Sequence, residues 1–412
     1  MGDDVGVSER GATGPTGATG PVWPPAPASG AGDEEPSPTE LAIDRAFAPP
    51  MGPADPETVP VTPRALTLSI ATVATALLVS GASLMSVPYA VNSPGPTFDT
   101  LGEHDGEALI QVAGAPSYES SGELRFTTVR VGGGPGNPVT LLRLVGGWVD
   151  PAVTVVPVED VLPPDRTSEE IDEQNQAAMI SSQENATVSA LEELGYEVPT
   201  TLTVAEAIEG SGAEGVLEPQ DVLLAIDGAR ISSFSELSAA MDAVAPGDAV
   251  VVTVERDGQE QDLSLTTTAG DDGRALLGVY VDPVFDLPVD VRIQIEDVGG
   301  PSAGLMFSLG IINTLTEQDE TGGEHIAGTG TMDLTGVVGP IGGIVQKMTG
   351  ARDDGADWFL APESNCAEAA GHEPDGIHVV AVATLAEARA AVEAIGAGDG
   401  ASLRTCADAV GG

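Results

Sequence analysis

The sequence predicts an α+β multidomain fold behind a single N-terminal transmembrane helix. Three observations carry this: one long uncharged apolar stretch, short alternating runs punctuated by turn residues after it, and Gly-rich transitions into apolar helices toward the C-terminus. The 412 residues leave room for two or three domains, and 42% apolar content suffices for their cores. A formal net charge of −49 argues against nucleic acid or an anionic lipid surface as the main partner. It reads as a strongly solvated acidic surface.

Residues 1–64 are low-complexity, dominated by Gly, Pro, Ala and Thr, with glycine at every third position from Gly11 to Gly20. That run is too short for a collagen-like helix, so a disordered acidic cytoplasmic tail is expected. From Ala65 to Val87, 23 residues pass without a charge. As a helix they reach roughly 34 Å, enough for a bilayer core of about 30 Å. Ser80, Gly81 and Ala82 have the small-residue spacing of a signal-peptide cleavage site, but a 64-residue leader is too long for one. Arg64 abuts the stretch and the next basic residue is Arg125. The positive charge therefore holds the N-terminus in the cytoplasm and puts everything after about residue 88 outside. Cys366 and Cys406, the only cysteines, fall in that outside portion. A disulfide between them is expected there, with two buried free thiols as the alternative.

Residues 88–195 are expected to form an extracytoplasmic α+β segment. It opens with the turn-rich run Pro88–Pro96, and Leu124–Arg130 alternates as a strand should. Thr167 to Glu170 has capping-box spacing, so a helix should begin there and run, with breaks, to Leu194, stopped by Gly195. In residues 196–270, Val222, Leu224 and Ile226 alternate as one strand face, and Asp227–Gly228 makes a tight turn. A helix from Ser233 to Ala245, the turn Pro246–Asp248 and a strand from Val250 follow. The run Gly215–Gly228 with these elements resembles a PDZ domain of bacterial proteases. Pro219-Gln220-Asp221 stands where that family usually has Pro-Gly-Asp, and no carboxylate-binding loop is evident. The resemblance implies a peptide tail as ligand, or a PDZ-shaped spacer.

Residues 271–400 read as an α/β segment, with a strand over Val289–Ile295 and a helix over Leu385–Ile395, and 401–412 as a C-terminal tail. Its chemistry turns on one residue type. Lys347 is the only lysine; the other fourteen fixed cations are arginines. Arginine is always charged, whereas a desolvated lysine can become neutral and act as a base. Forty-five positions earlier, Ser302 sits in the run Gly299–Gly304 ahead of an apolar helix. Pro301 suits a first helical position, so Ser302 should lie in the opening turn, where unpaired N–H groups and the dipole favour an oxyanion. Gly300, Pro301 and Ser302 are the backbone candidates for that role. Lys347 follows a strand and a Gly-rich turn, one turn into a helix, with Ile341, Ile344, Val345 and Met348 to keep its surroundings apolar.

Gly300–Gly304 together with Gly339–Ile344 and Lys347 resembles the proteolytic domain of Lon proteases. The resemblance implies Ser302 as nucleophile, Lys347 as its base and Thr329 as the residue orienting the lysine. Thr331 and Gly299 stand where Lon has acidic residues; Asp297 could replace one, or be an ordinary strand-end carboxylate. The order anchor, PDZ, Lon-type domain resembles the small ATP-independent, PDZ-containing Lon-like membrane proteases of the YlbL type. That implies a membrane-embedded serine endopeptidase acting on unfolded polypeptides outside the cytoplasm. The lone lysine follows Gln346, so no P-loop is present. His104, His325, His372 and His378 have no zinc spacing around them, and no metal or cofactor is expected. A catalytically silent, membrane-tethered PDZ adaptor and a self-processing protease are the alternatives.

Overall fold

The computed structural model describes residues 62–134, 137–163, 166–270, 273–295 and 298–411. The expected disordered tail falls almost wholly outside the described residues, and so does Asp297. Helix α1 (Pro63–Leu84) has 22 residues and buries none of them within the protein. At about 1.5 Å per residue it is long enough to cross a bilayer core.

After it come strands β1 (Tyr89–Asp99), β2 (Ile110–Ala113), β3 (Glu123–Gly132) and β4 (Thr154–Pro157), then helix α2 (Ser168–Glu193). Thr167 starts α2 through a full capping box: its Oγ1 accepts from the Glu170 amide at 3.2 Å, and Glu170 Oε2 accepts from the Thr167 amide at 2.7 Å. The helix is continuous for 26 residues, without the breaks its polar composition predicts. Its Ala186–Leu191 turns are buried, and packing replaces amphipathic regularity there. Gly195 ends it at φ +82°.

A five-strand path follows: β5 (Thr200–Ala207), β6 (Val222–Ile226), helix α3 (Phe234–Asp242), β7 (Ala249–Arg256), β8 (Gln259–Thr266) and β9 (Val279–Phe285). The sheet order is β8-β7-β6-β5-β9, which leaves β9 as an edge strand. Val250, Val252 and Val254 alternate inward on β7. On β6 the expected face is inverted at first: Leu223 and Ala225 are buried with Ile226, while Val222 and Leu224 are half-buried. A register irregularity between Leu223 and Ala225 is the reason, since a bulge moves side chains across the sheet. Asp227 and Gly228, at φ 47° and 79°, make the predicted turn. Strand β9 lies beyond residue 270 in sequence but belongs to this sheet by its pairing with β5.

The chain then returns through β10 (Asp290–Ile293), helix α4 (Gly304–Leu315), β11 (His325–Gly328), β12 (Thr331–Met332), β13 (Val338–Gly339), helix α5 (Ile344–Asp353), β14 (Trp358–Pro362), β15 (His378–Val382) and helix α6 (Leu385–Gly396). Here the hydrogen bonding joins what the sequence divides. The second sheet runs β15-β14-β11-β3-β1-β4, so it takes strands from both sides of the PDZ-like sheet in sequence. β10 pairs with β2, and α2 packs on α4. The larger lobe is thus discontinuous, with the smaller lobe set between its halves. Its main core gathers Phe126, Phe307, Leu305, Ile311 and Ile326, all fully buried, each contributing about 1.5–3 kcal/mol on the area scale. Cys366 and Cys406 are joined in a disulfide between two short C-terminal helices.

Candidate active site

Ser302 lies two residues before α4, not inside its first turn as the proline predicts. The carbonyls that would open a helix at Pro301 are already engaged elsewhere. Ser182 Oγ of α2 donates to the Pro301 carbonyl at 2.9 Å, and the Gly330 amide and Thr329 Oγ1 donate to the Ser302 carbonyl at 2.9 and 3.0 Å. The Leu305 amide likewise turns to the Gly330 carbonyl at 3.1 Å, so the first i to i+4 bond is from the Phe307 amide to the Ala303 carbonyl at 3.0 Å. A Cβ at Gly304 would meet Ser182 Oγ at 2.8 Å and the Met332 amide nitrogen at 2.9 Å. Glycine is needed there for α2 and β12 to close around the turn.

Lys347 comes from α5, whose N-cap Gly343 is left-handed at φ +71°. Its side chain is 2% exposed. Nζ lies 2.7 Å from Ser302 Oγ and 2.9 Å from Thr329 Oγ1. Among the described residues no carboxylate pairs with it. Desolvation by burial lowers its pKa from 10.5 to about 7. Ile344 and Met348 are fully buried on the same helix, with Ile341 and Val345 packed against them. The Thr329 hydroxyl proton is committed to the Ser302 carbonyl, so its oxygen can only accept from the lysine. With one N–H held by Thr329, a neutral amine is free to turn its lone pair to Ser302.

Of the three backbone groups expected as oxyanion donors, two are unsuited. Pro301 has no N–H, and the Gly300 amide is held by the Asn175 carbonyl of α2 at 2.9 Å. The amides of Ser302 and Ala303 donate to no acceptor among the described residues. The Ala303 amide is a candidate donor that sequence reasoning missed, because the competing bond from Gly300 to Asn175 is invisible in the motif.

Ser302 and Lys347 open into a cleft of about 650 Å³. Strand β3 forms one wall through Thr127, Thr128 and Val129, and Thr331 and Pro340 another. β11 pairs with β3 only as far as Phe126, so beyond it one edge of β3 lies open along the cleft. The alternation of Leu124–Arg130 signals this strand but not its place beside Ser302. Among the described residues no cluster of His, Cys, Asp or Glu could hold a metal ion.

Comparison with known families agrees with both lobes. A PDZ domain model matches residues 180–267, and the Lon protease (S16) C-terminal proteolytic domain model matches residues 293–387. Lon protease 2 of Bacillus subtilis is 36% identical over 107 residues, covering 24% of this chain and 18% of that protein. Lon protease of Roseiflexus castenholzii is 34% identical over 82 residues, covering 20% of this chain and 10% of that protein. The chain thus spans less than a fifth of these curated relatives. The solved PDZ domain of the SdrC-like protein of Listeria innocua is 23% identical, with a TM-score of 0.19, covering 20% of this chain and 92% of that one. This chain carries a Lon-type serine peptidase domain. It is a Lon-like, PDZ-containing protein.

Proposed function

We propose that this protein is a membrane-anchored, ATP-independent serine endopeptidase that cleaves unfolded polypeptides outside the cytoplasm through Ser302 and Lys347. The observation that carries it is the 2.7 Å contact between a serine hydroxyl and a buried lysine that has hydroxyl partners and no carboxylate. Neutral Lys347 takes the proton of Ser302 Oγ as that oxygen attacks a peptide carbonyl. The amides of Ser302 and Ala303 stabilise the oxyanion. The protonated lysine then gives its proton to the departing amine. Neutral again, it deprotonates a water that hydrolyses the acyl ester and restores the Ser302 hydroxyl. Thr329 is a positioning residue, holding both the lysine and the Ser302 carbonyl.

Helix α1 supports the anchor, the arginine asymmetry around it supports an outside catalytic lobe, and the disulfide fits an oxidising compartment. ATP independence is supported by the missing P-loop lysine. The cleft between α3 and β9 has a volume of about 330 Å³ and offers the PDZ-like lobe a peptide groove. The amides of Leu277 and Gly278, at the start of β9, donate to no acceptor among the described residues and suit a terminal carboxylate.

The test is cleavage of casein by the full chain in detergent, without ATP, beside Ser302→Ala and Lys347→Arg. Activity lost in both variants is the expected result. Activity kept in both overturns the dyad, and a silent wild type whose Ser302 resists a fluorophosphonate favours the adaptor.

A further inference from the structure

Three separate cavities succeed one another between the groove of the smaller lobe and the Ser302 cleft, along elements they share. The path they mark begins at Leu277 and Gly278 and follows β9, whose outer edge pairs with no other strand. At the far end of β9 a second cavity of about 620 Å³ opens between Val284 and Phe285 on one side and Ile180 and Gln183 of α2 on the other. Arg292 and Ile293 of β10 complete it, and β10 pairs with β2 on one side only. From this cavity two elements run on to the nucleophile. Along α2, one residue past Ile180, Met179 lines the Ser302 cleft; beyond β10, Val298 and Gly299 line it as well. Ile180, Val284 and Leu287 are 58%, 64% and 38% exposed, an apolar row along the way.

We propose that this path is a substrate track which fixes the cleavage site by its distance from the substrate's C-terminus. The proposal rests on the protease reading and on peptide binding by the smaller lobe. The occupant is an unfolded polypeptide ending in an apolar residue with a free carboxylate. Leu237, Met241 and Leu277 supply an apolar pocket; Arg274 beside it is paired with Asp242 of α3 at 3.6 Å, so the carboxylate is held by the Leu277 and Gly278 amides. The carboxylate sits at the start of β9, so the substrate adds antiparallel to that strand and its upstream chain leaves past Phe285.

The length follows from the elements. Gly278 to Phe285 covers about 24 Å at roughly 3.4 Å per strand residue. Thr187 to Met179 covers about 12 Å at 1.5 Å per helical residue. An extended substrate spans that sum with about ten to twelve residues, so the scissile bond lies about that far from the C-terminus.

The experiment uses the full chain in detergent and unfolded polypeptides longer than the track, ending in valine as free acid or amide. A second series carries Gly-Ser spacers inserted just ahead of the terminal residues. Mass spectrometry maps the cuts. The expected result is a cut about ten to twelve residues from the C-terminus, staying at that distance as spacers are added, with kcat/KM at least about tenfold lower for the amide. Cuts that follow the local sequence as spacers are added, or equal cleavage of acid and amide, overturn the track and leave the protease reading standing. No cleavage by wild type, with Ser302 unreactive toward a fluorophosphonate, overturns both.

Discussion

Lys347 of the catalytic lobe and Arg256 of the PDZ-like lobe are both shielded cations in an acidic chain, yet their surroundings are opposite. Arg256 donates to Asp221 through Nε and Nη2 at 2.7 and 2.6 Å, and to Glu218 at 2.9 Å. Burial pushes the Asp221 carboxyl up, but the bonds from Arg256 and the Glu218 amide outweigh it and leave it below its usual range. The pair stays charged and ties the Glu218–Asp221 turn to β7. Lys347 meets only hydroxyls, so burial acts on it unopposed and lowers its pKa to about 7. Partnered charge stays charged and holds structure; unpartnered buried charge loses its hold on the proton, which is what the proposed role of Lys347 needs.

Exchanging the cation type is the most severe way to break this contrast. Lys347→Arg should reduce kcat/KM on casein at least about 10³-fold, because a guanidinium keeps its proton near neutral pH. Breaking the other pair should cost stability instead. Asp221→Ala leaves Arg256 with only Glu218 and the Val216 carbonyl, and denaturant unfolding should show a loss of about 1–3 kcal/mol.

The contrast sharpens with pH. Lys347 binds its proton less tightly folded, about 7, than unfolded, 10.5, so between those values the unfolded chain holds more protons and stability rises with pH. At about 1.4 kcal/mol per pK unit, wild type should gain roughly 2–3 kcal/mol on Lys347→Met between about pH 6 and pH 9. Parallel stability curves for the two proteins would show that burial does not shift this lysine. The smallest effect concerns Gln220, which holds φ +79° in the turn before β6. Gln220→Gly should raise stability by about 0.5–1 kcal/mol in thermal unfolding, since a left-handed position costs a side chain that much or more.

The lone lysine and the glycine-framed serine made the site legible, because both signals are local in sequence. The Asp227–Gly228 turn and the Thr167 capping box were legible for the same reason. What stayed hidden depends on pairing between distant segments. β3 sits beside Ser302 through its pairing with β11, and β9 closes the PDZ-like sheet only by pairing back to β5. The loop at Leu277–Gly278 is visible as a candidate peptide site only once β9 is placed against α3. The oxyanion assignment failed at Gly300 because its amide is taken by Asn175, a residue of a helix on the other side of the inserted lobe in sequence.

A chain with one lysine allows the central claim to be read directly. Biosynthetic labelling with ¹³Cε-lysine should give a single resonance from Lys347 in the full chain in detergent, and its titration reports the folded pKa. A midpoint near 7 is the predicted result. A midpoint near the ordinary 10.5 would leave Lys347 charged at neutral pH and would contradict its role as the base.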